Sequence, residues 1–497
     1  MTNRSYPIQK LYRTVMQYIG LQKESIISNK FRHPFIIVLL ILVALMVAVS
    51  VYQDGLVGGG FLLIFFISIP LVLSILHPPL GIFIIIISSY LIMLLSRLGV
   101  NFPLGTFMDA LQLIMIVGFF FKQKIEKKWN IFKTPITTVI FIWIGYNILQ
   151  ILNPAAESRL AWLYTIRTVA IIMLMYFLFL FNIGSIQLMR SVIKLWIGLS
   201  LFAACYAFKQ EHLGFFNFEE QWLKSDPLLK TLLFIDGHWR KFSIFSDPVT
   251  FSYNMAISSI LCIALITGPL SIVKKLLLSV FSLFFLINML YSGTRGAYLL
   301  VPAALILFCI LMYNKRVLLF SIIAGIGLTF LIFIPTNNQN IVRFQSAFRP
   351  SEDASYNLRK INQKRIQPFI QSHPFGGGLG ATGTWGARFS PGSFLSTFPP
   401  DSGYVRIAVE LGWVGLLLFC ILIFVILRQG VLNFYSIKNP ELKSYCLAAI
   451  LVVFSLHIGN YPQEAVVQYP SNIIFYLAIS FISISKLLDD KLGNLHE

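Results

Sequence analysis

Long apolar runs alternate with short polar breaks from residue 34 to residue 486. The runs fall at 34–52, 57–76, 80–97, 104–121, 135–152, 162–182, 190–208, 251–268, 276–291, 296–313, 317–335, 403–427, 444–460 and 470–486. A bilayer core about 30 Å thick is crossed by about twenty helical residues, so the pattern predicts about fourteen helices (12–14). The runs at 57–76 and 80–97 are the least clearly separate. The expected fold class is all-α: a polytopic transmembrane helical bundle with a large hydrophilic loop containing short helices.

Composition agrees with lipid as the solvent. Of 497 residues, 57% are hydrophobic and 12% charged, where soluble chains carry about a quarter charged. The net charge of +19 is what a polytopic protein gains by keeping Lys and Arg on its cytoplasmic side, and it does not call for nucleic acid. Cys205, Cys262, Cys309, Cys420 and Cys446 all lie in apolar runs without CxxC spacing and read as packing residues. The polar N-terminal region is too long, and the run after it lacks a small-residue cleavage site, for a cleavable signal.

Basic residues orient the bundle. Arg4, Lys10, Arg13, Lys23, Lys30 and Arg32 precede the first run. With this arm in the cytoplasm, alternation places 122–133, Lys274, Lys275, 314–316, Arg428, Lys438, Lys443 and the C-terminal tail inside as well. Segments 209–250 and 336–402 fall outside. The expected organisation is a cytoplasmic arm (1–33), a transmembrane region (34–335) with outer loop 209–250, a large periplasmic loop (336–402), C-terminal helices (403–486) and a cytoplasmic tail (487–497). Within the large loop, ASYNLRKINQKRIQ predicts an interfacial helix ending before Pro368, followed by the glycine-rich HPFGGGLGATGTWGARFSPG.

Outer-face residues carry the candidate chemistry. In YSGTRGAY (291–298), Arg295 begins a helix whose free N–H groups and positive dipole end point outward. Gly293 and Gly296 let an oxyanion approach the backbone. The stretch reads either as a phosphate-type anion site or as an arginine snorkelling to headgroups. In RKFSIFSDPVTFSYN, Asp247 suits the N-cap and Pro248 the first helical position, with Arg240 and Lys241 just before and His238 nearby. In FPPDSGYVRIAVELGWVG, Asp401 or Ser402 suits a cap, and Asp401 is also a possible general base. Arg406 and Glu410 are four apart and face each other on one helix side. Arg167 and Asp109 are intramembrane charges, Asp109 being either the partner of Arg167 or a protonated core carboxyl. His373 opens the glycine run. No metal-ligand spacing, Walker A loop, Rossmann glycine pattern or DxD-like motif occurs, so neither a metal nor a cofactor is expected.

These stretches resemble, in order, signature elements of the bacterial O-antigen ligase and polymerase superfamily: RKFSIFSDPVTFS, SGTRGA, Arg359 ahead of HPFGGGLG, and DSGYVRIAVELGWVG. The resemblance covers roughly residues 160–430. It implies an inner-membrane, GT-C-like glycosyltransferase using a glycan on undecaprenyl diphosphate at the periplasmic face. It implies that the family's two arginines fall on Arg240 and Arg295, holding the diphosphate. Ligases of the family carry a histidine where this chain has Asp401, which looks more like the polymerase or exopolysaccharide branches.

The expected function is therefore metal-independent, inverting polymerisation of lipid-linked repeat units, with Asp401, Arg295 and Arg240 catalytic. Arg167, Arg359, His373, Gly293, Gly296 and Arg406 would contact substrate. Expected partners are the undecaprenyl-diphosphate-linked glycan, membrane lipids, and a flippase and chain-length regulator of the same pathway. The alternatives are a ligase transferring the glycan to lipid A core, and a lipid-linked oligosaccharide flippase. A transporter is disfavoured because its polar sites sit near the midplane in repeated, broken helices, whereas these charges gather at one face.

Overall fold

Polar caps set where the spans begin. In a computed structural model, which describes residues 77–98, 104–235, 237–349 and 354–494, the side chains of Thr134, Ser185, Asp247, Asn314 and Asn439 each accept backbone N–H bonds from the first turn of an apolar helix. Each takes up donors that a helix start otherwise leaves unpaired. All the described residues belong to one compact unit, Leu73–Glu497.

The transmembrane elements are α1 (Pro78–Arg97), α2 (Leu104–Glu126), α3 (Pro135–Leu149), α4 (Arg159–Val169) continued by α5 (Leu174–Asn182), and α6 (Ile186–His212). After a loop with α7 (Asn217–Ser225), α8 (Pro227–Leu233) and a hairpin of β1 (Phe234–Ile235) and β2 (His238–Trp239) come α9 (Pro248–Ile266) and α10 (Ile272–Tyr291). Next are α11 (Arg295–Tyr298), α12 (Leu300–Leu311) and α13 (Lys315–Phe333). The second long loop holds α14 (Gln339–Ser346), α15 (Ala354–Ser372) and α16 (Gly383–Phe389), before α17 (Gly403–Ser436), α18 (Pro440–Gly459) and α19 (Ser471–Gly493). Among the described residues, eleven helical stretches are long and apolar enough to span, with 295–311 a shorter twelfth. The expected runs at 34–52 and 57–76 lie outside the described residues. Each of the other twelve coincides with one of these helical stretches.

α9, α18 and α19 form the centre, with 83%, 78% and 89% of their spanning windows buried, whereas α13, at 6%, lies at the edge. Inside, hydroxyl and amide side chains join helices. Tyr90 Oη donates to Asn254 Oδ1, Asn254 Nδ2 to Ser471 Oγ, and Ser258 Oγ to Ser200 Oγ. Short polar contacts of this kind hold spans together where no water competes.

Two sets of loops separate to opposite ends. At one end Arg190 pairs with Glu441, and the carboxylate of Asp489 accepts from the backbone of Lys438 and Asn439. Segments 209–250 and 336–402 meet at the other.

The structure corrects two local expectations. α15 continues through Pro368 to Ser372. A mid-helix proline normally costs a hydrogen bond and a clash, but here the turn beyond it carries Phe369 and Ile370 onto a core of Ile366, Leu395, Phe398 and Val409. Neither Asp401 nor Ser402 caps α17 through its side chain. The helix start is held instead by Gly403 N donating to Asn460 O at 2.9 Å.

α17 is broken at Gly412 (φ 72°, ψ 179°). The break frees backbone groups that the glycine-rich loop takes up. Gly377 N donates to Val409 O (2.9 Å), Gly378 N to Glu410 O (3.0 Å) and Val414 N to Pro374 O (3.2 Å), while Tyr146 Oη donates to Leu411 O at 2.6 Å. A Cβ on Gly412 would stand 2.0 Å from Pro374 O. Gly412→Ala is therefore expected to destabilise by at least about 1–3 kcal/mol from backbone strain alone. It should also detach the loop, read as a lower melting temperature and faster proteolysis within 354–402. An unchanged melting temperature would contradict this.

Candidate active site at one end of the bundle

β2 delivers Arg240 to the end of α10. Arg240 N donates to Leu233 O, and Lys241 N to Tyr291 O. The guanidinium then reaches the turn that follows α10, Nε donating to Ser292 O at 2.8 Å and Nη2 to Thr294 Oγ1 at 3.0 Å. Thr294 Oγ1 donates onward to Pro248 O at 3.1 Å, tying in the start of α9. Arg343, on α14, donates from Nε to Gly293 O at 2.7 Å. Its neighbour Phe344 is buried against Tyr298, ring centroids 5.0 Å apart. Arg295 follows directly at the first position of α11.

Three guanidinium groups thus surround one turn. Burial pushes the pKa of Arg240 down to about 10, with the charges of Arg343 and Arg295 adding to the effect and Asp247 opposing it. Asp247 itself is engaged, accepting from Val249 N, Thr250 N, Thr250 Oγ1 and Ser246 Oγ. The cap expected of it is present. Guanidinium forks gathered at one turn present the donors that suit a multivalent anion. Gly293 (φ 60°) is needed because a Cβ there would stand 2.7 Å from Arg343 Nε. A Cβ on Gly296 would meet Pro462 Cγ at 3.0 Å and Tyr253 Oη at 3.2 Å. At both glycines a neighbouring side chain occupies the space a Cβ would need. Arg359, on α15, lies within electrostatic reach of Tyr253. Lys241 is taken up by Glu211 at 3.2 Å.

A second group anchors the glycine-rich loop. Arg406 Nε lies 3.1 Å from Glu410 Oε1, the expected pair, and its Nη1 lies 2.8 Å from Glu464 Oε2. Glu410 also accepts from Gly380 N (2.9 Å), Thr382 N (3.3 Å) and Thr382 Oγ1 (2.5 Å). Asp401 is half-buried, one residue before the cap position of α17, and its charge is felt at Glu464.

Arg167 and His373 are engaged elsewhere. Arg167 pairs with Asp109, one of the two readings of that carboxylate. His373 stacks on Phe369 at 4.0 Å, its Nδ1 within 2.9 Å of Ser372 Oγ and 3.0 Å of Phe369 O. Sequence reasoning missed Arg343 and Glu464. Arg343 sits in a short amphipathic stretch whose local pattern signals only that Phe344 is buried. Glu464 is a carboxylate in the short connection between α18 and α19, a signal that was present but carried no motif.

Residues 280–420 match the family model Wzy_C, described as O-Antigen ligase. That stretch includes Arg295, Arg343, Arg359, Asp401, Arg406 and Glu410; Arg240 and Glu464 lie outside it. No curated protein matches the chain. The match covers the SGTRGA and DSGYVRIAVELGWVG segments, so within this integral membrane protein of many apolar helices residues 280–420 carry the likeness to the O-antigen ligase (Wzy-like) superfamily.

Proposed function

We propose that this protein is a membrane glycosyltransferase that joins undecaprenyl-diphosphate-linked repeat units at the periplasmic face of the inner membrane. The observation that supports this reading is the clustering of Arg240, Arg295 and Arg343 around the Ser292–Thr294 turn. As the glycosidic bond breaks, negative charge grows on the departing diphosphate. Guanidinium groups already in place stabilise that charge without reorganising. Arg359 assists from α15. An acceptor hydroxyl attacks in line and inverts the anomeric centre, giving up its proton to a carboxylate, of which Asp401 is the first choice.

A glycan ladder tests the function. In a deletion strain, single repeat units on the final acceptor are the expected result. Polymer accumulating on the carrier lipid would identify a ligase instead. Flipping of lipid-linked glycan by the purified protein, without transfer, would replace both readings with transport.

A further inference from the structure

The connection between α18 and α19, residues 460–470, is wedged between the two helix starts of the site. On one side Pro462 lies against Gly296, next to Arg295. On the other, Asn460 O accepts Gly403 N at 2.9 Å, just beyond Asp401. Asn460 Oδ1 accepts Ala465 N at 3.2 Å, and Tyr253 Oη donates to Gly459 O at 2.9 Å, so both ends of the 460–464 turn are fixed. From this turn Glu464 reaches Arg406 Nη1 at 2.8 Å with 22% of its side chain exposed.

The two carboxylates on Arg406 differ. Glu410 is 3% exposed and bonded to the backbone of the glycine-rich loop, which makes it an anchor. Glu464 accepts from Arg406 alone among the described residues. The charged groups facing it are Arg406 and Glu410 on α17 and Asp401 ahead of that helix. Burial raises its pKa above the usual carboxylate range; Arg406 pulls it down, and Glu410 and Asp401 push it further up. A carboxylate so placed is more basic than an exposed one and is held in a fixed position by its arginine.

We propose that Glu464 is a catalytic residue of this site, the proton acceptor for the attacking hydroxyl in place of Asp401. The assignment rests on the transferase reading above. In the step, the acceptor O–H bond breaks and its proton passes to the Glu464 carboxylate. The oxygen forms a bond to the anomeric carbon, and the anomeric carbon–oxygen bond to phosphate breaks with its electron pair going to the diphosphate among the arginines. Glu464 then releases the proton to water.

The test uses full-length protein in lipid vesicles with lipid-linked glycan as donor and acceptor. Glu464→Gln is expected to lower kcat by about 100-fold or more with KM little changed. It should also remove or displace the acidic fall in kcat expected of wild type as Glu464 takes up a proton. Glu464→Asp keeps the charge on Arg406 but withdraws it by one methylene. It should melt like wild type and transfer at least about tenfold more slowly, so it carries the test should the Gln variant fail to accumulate. Either variant at wild-type kcat, or a slowed Glu464→Gln whose acid limb is unmoved, overturns the assignment. Wild type that transfers while both variants also do so at full rate leaves the transferase reading standing and removes only Glu464. Wild type that transfers nothing overturns both.

Discussion

Arg295→Lys is expected to slow glycan transfer by about 100-fold or more, the loss typical of removing one preorganised donor from a developing oxyanion. Lysine keeps the positive charge, so the comparison isolates the planar fork, which holds two phosphate oxygens at once. Arg295 is half-buried at the first position of α11, beside a turn whose carbonyls already bind Arg240 and Arg343. Burial, with the charges of Arg343 and Arg295 adding to it, lowers the pKa of Arg240, and an entering diphosphate should favour its charged form. The measurement is turnover of purified protein with lipid-linked glycan, accompanied by a melting curve. Wild-type turnover in Arg295→Lys would mean that the guanidinium cluster does not hold the leaving group.

Arg406→Ala has the larger expected effect on stability. It would strand Glu410, 3% exposed, and Glu464, 22% exposed, without their shared cation. Removing one partner from a buried charge group costs about 3–5 kcal/mol, because the remaining charges are left uncompensated. Glu410 also holds Gly380 N and Thr382 N, so the glycine-rich loop should loosen together with the helix start. Thermal unfolding in detergent reads the effect, and faster proteolysis across 374–390 should accompany it. A melting temperature equal to wild type would show that Glu410 and Glu464 are neutralised by other means. Arg406 thus braces the start of α17 and, through Glu410, the glycine-rich loop.

Much of the architecture was legible because it is encoded locally. Runs of about twenty apolar residues mark spans whatever surrounds them. The Asp247–Pro248 start of α9 follows from the cap chemistry of two adjacent residues, and the Arg406–Glu410 pair from the spacing of one helical turn. Placing segments 209–250 and 336–402 at one end needed only a count of crossings.

Other features depend on residues far apart in the chain, and only tertiary structure decides those. Arg343 joins Arg240 because α14 folds back over the turn after α10. Glu464 reaches Arg406 because α18 and α19 bring their connection against the start of α17. α15 runs through Pro368 because packing on Ile366, Leu395, Phe398 and Val409 outweighs a local penalty. α17 breaks at Gly412 because the glycine-rich loop supplies partners for the freed backbone groups. By itself the sequence determined the described spans and the local helix starts, which depend on neighbours along the chain. The folded bundle decided which charges share a site, since a charge's partner is set by proximity in space and not by spacing in sequence.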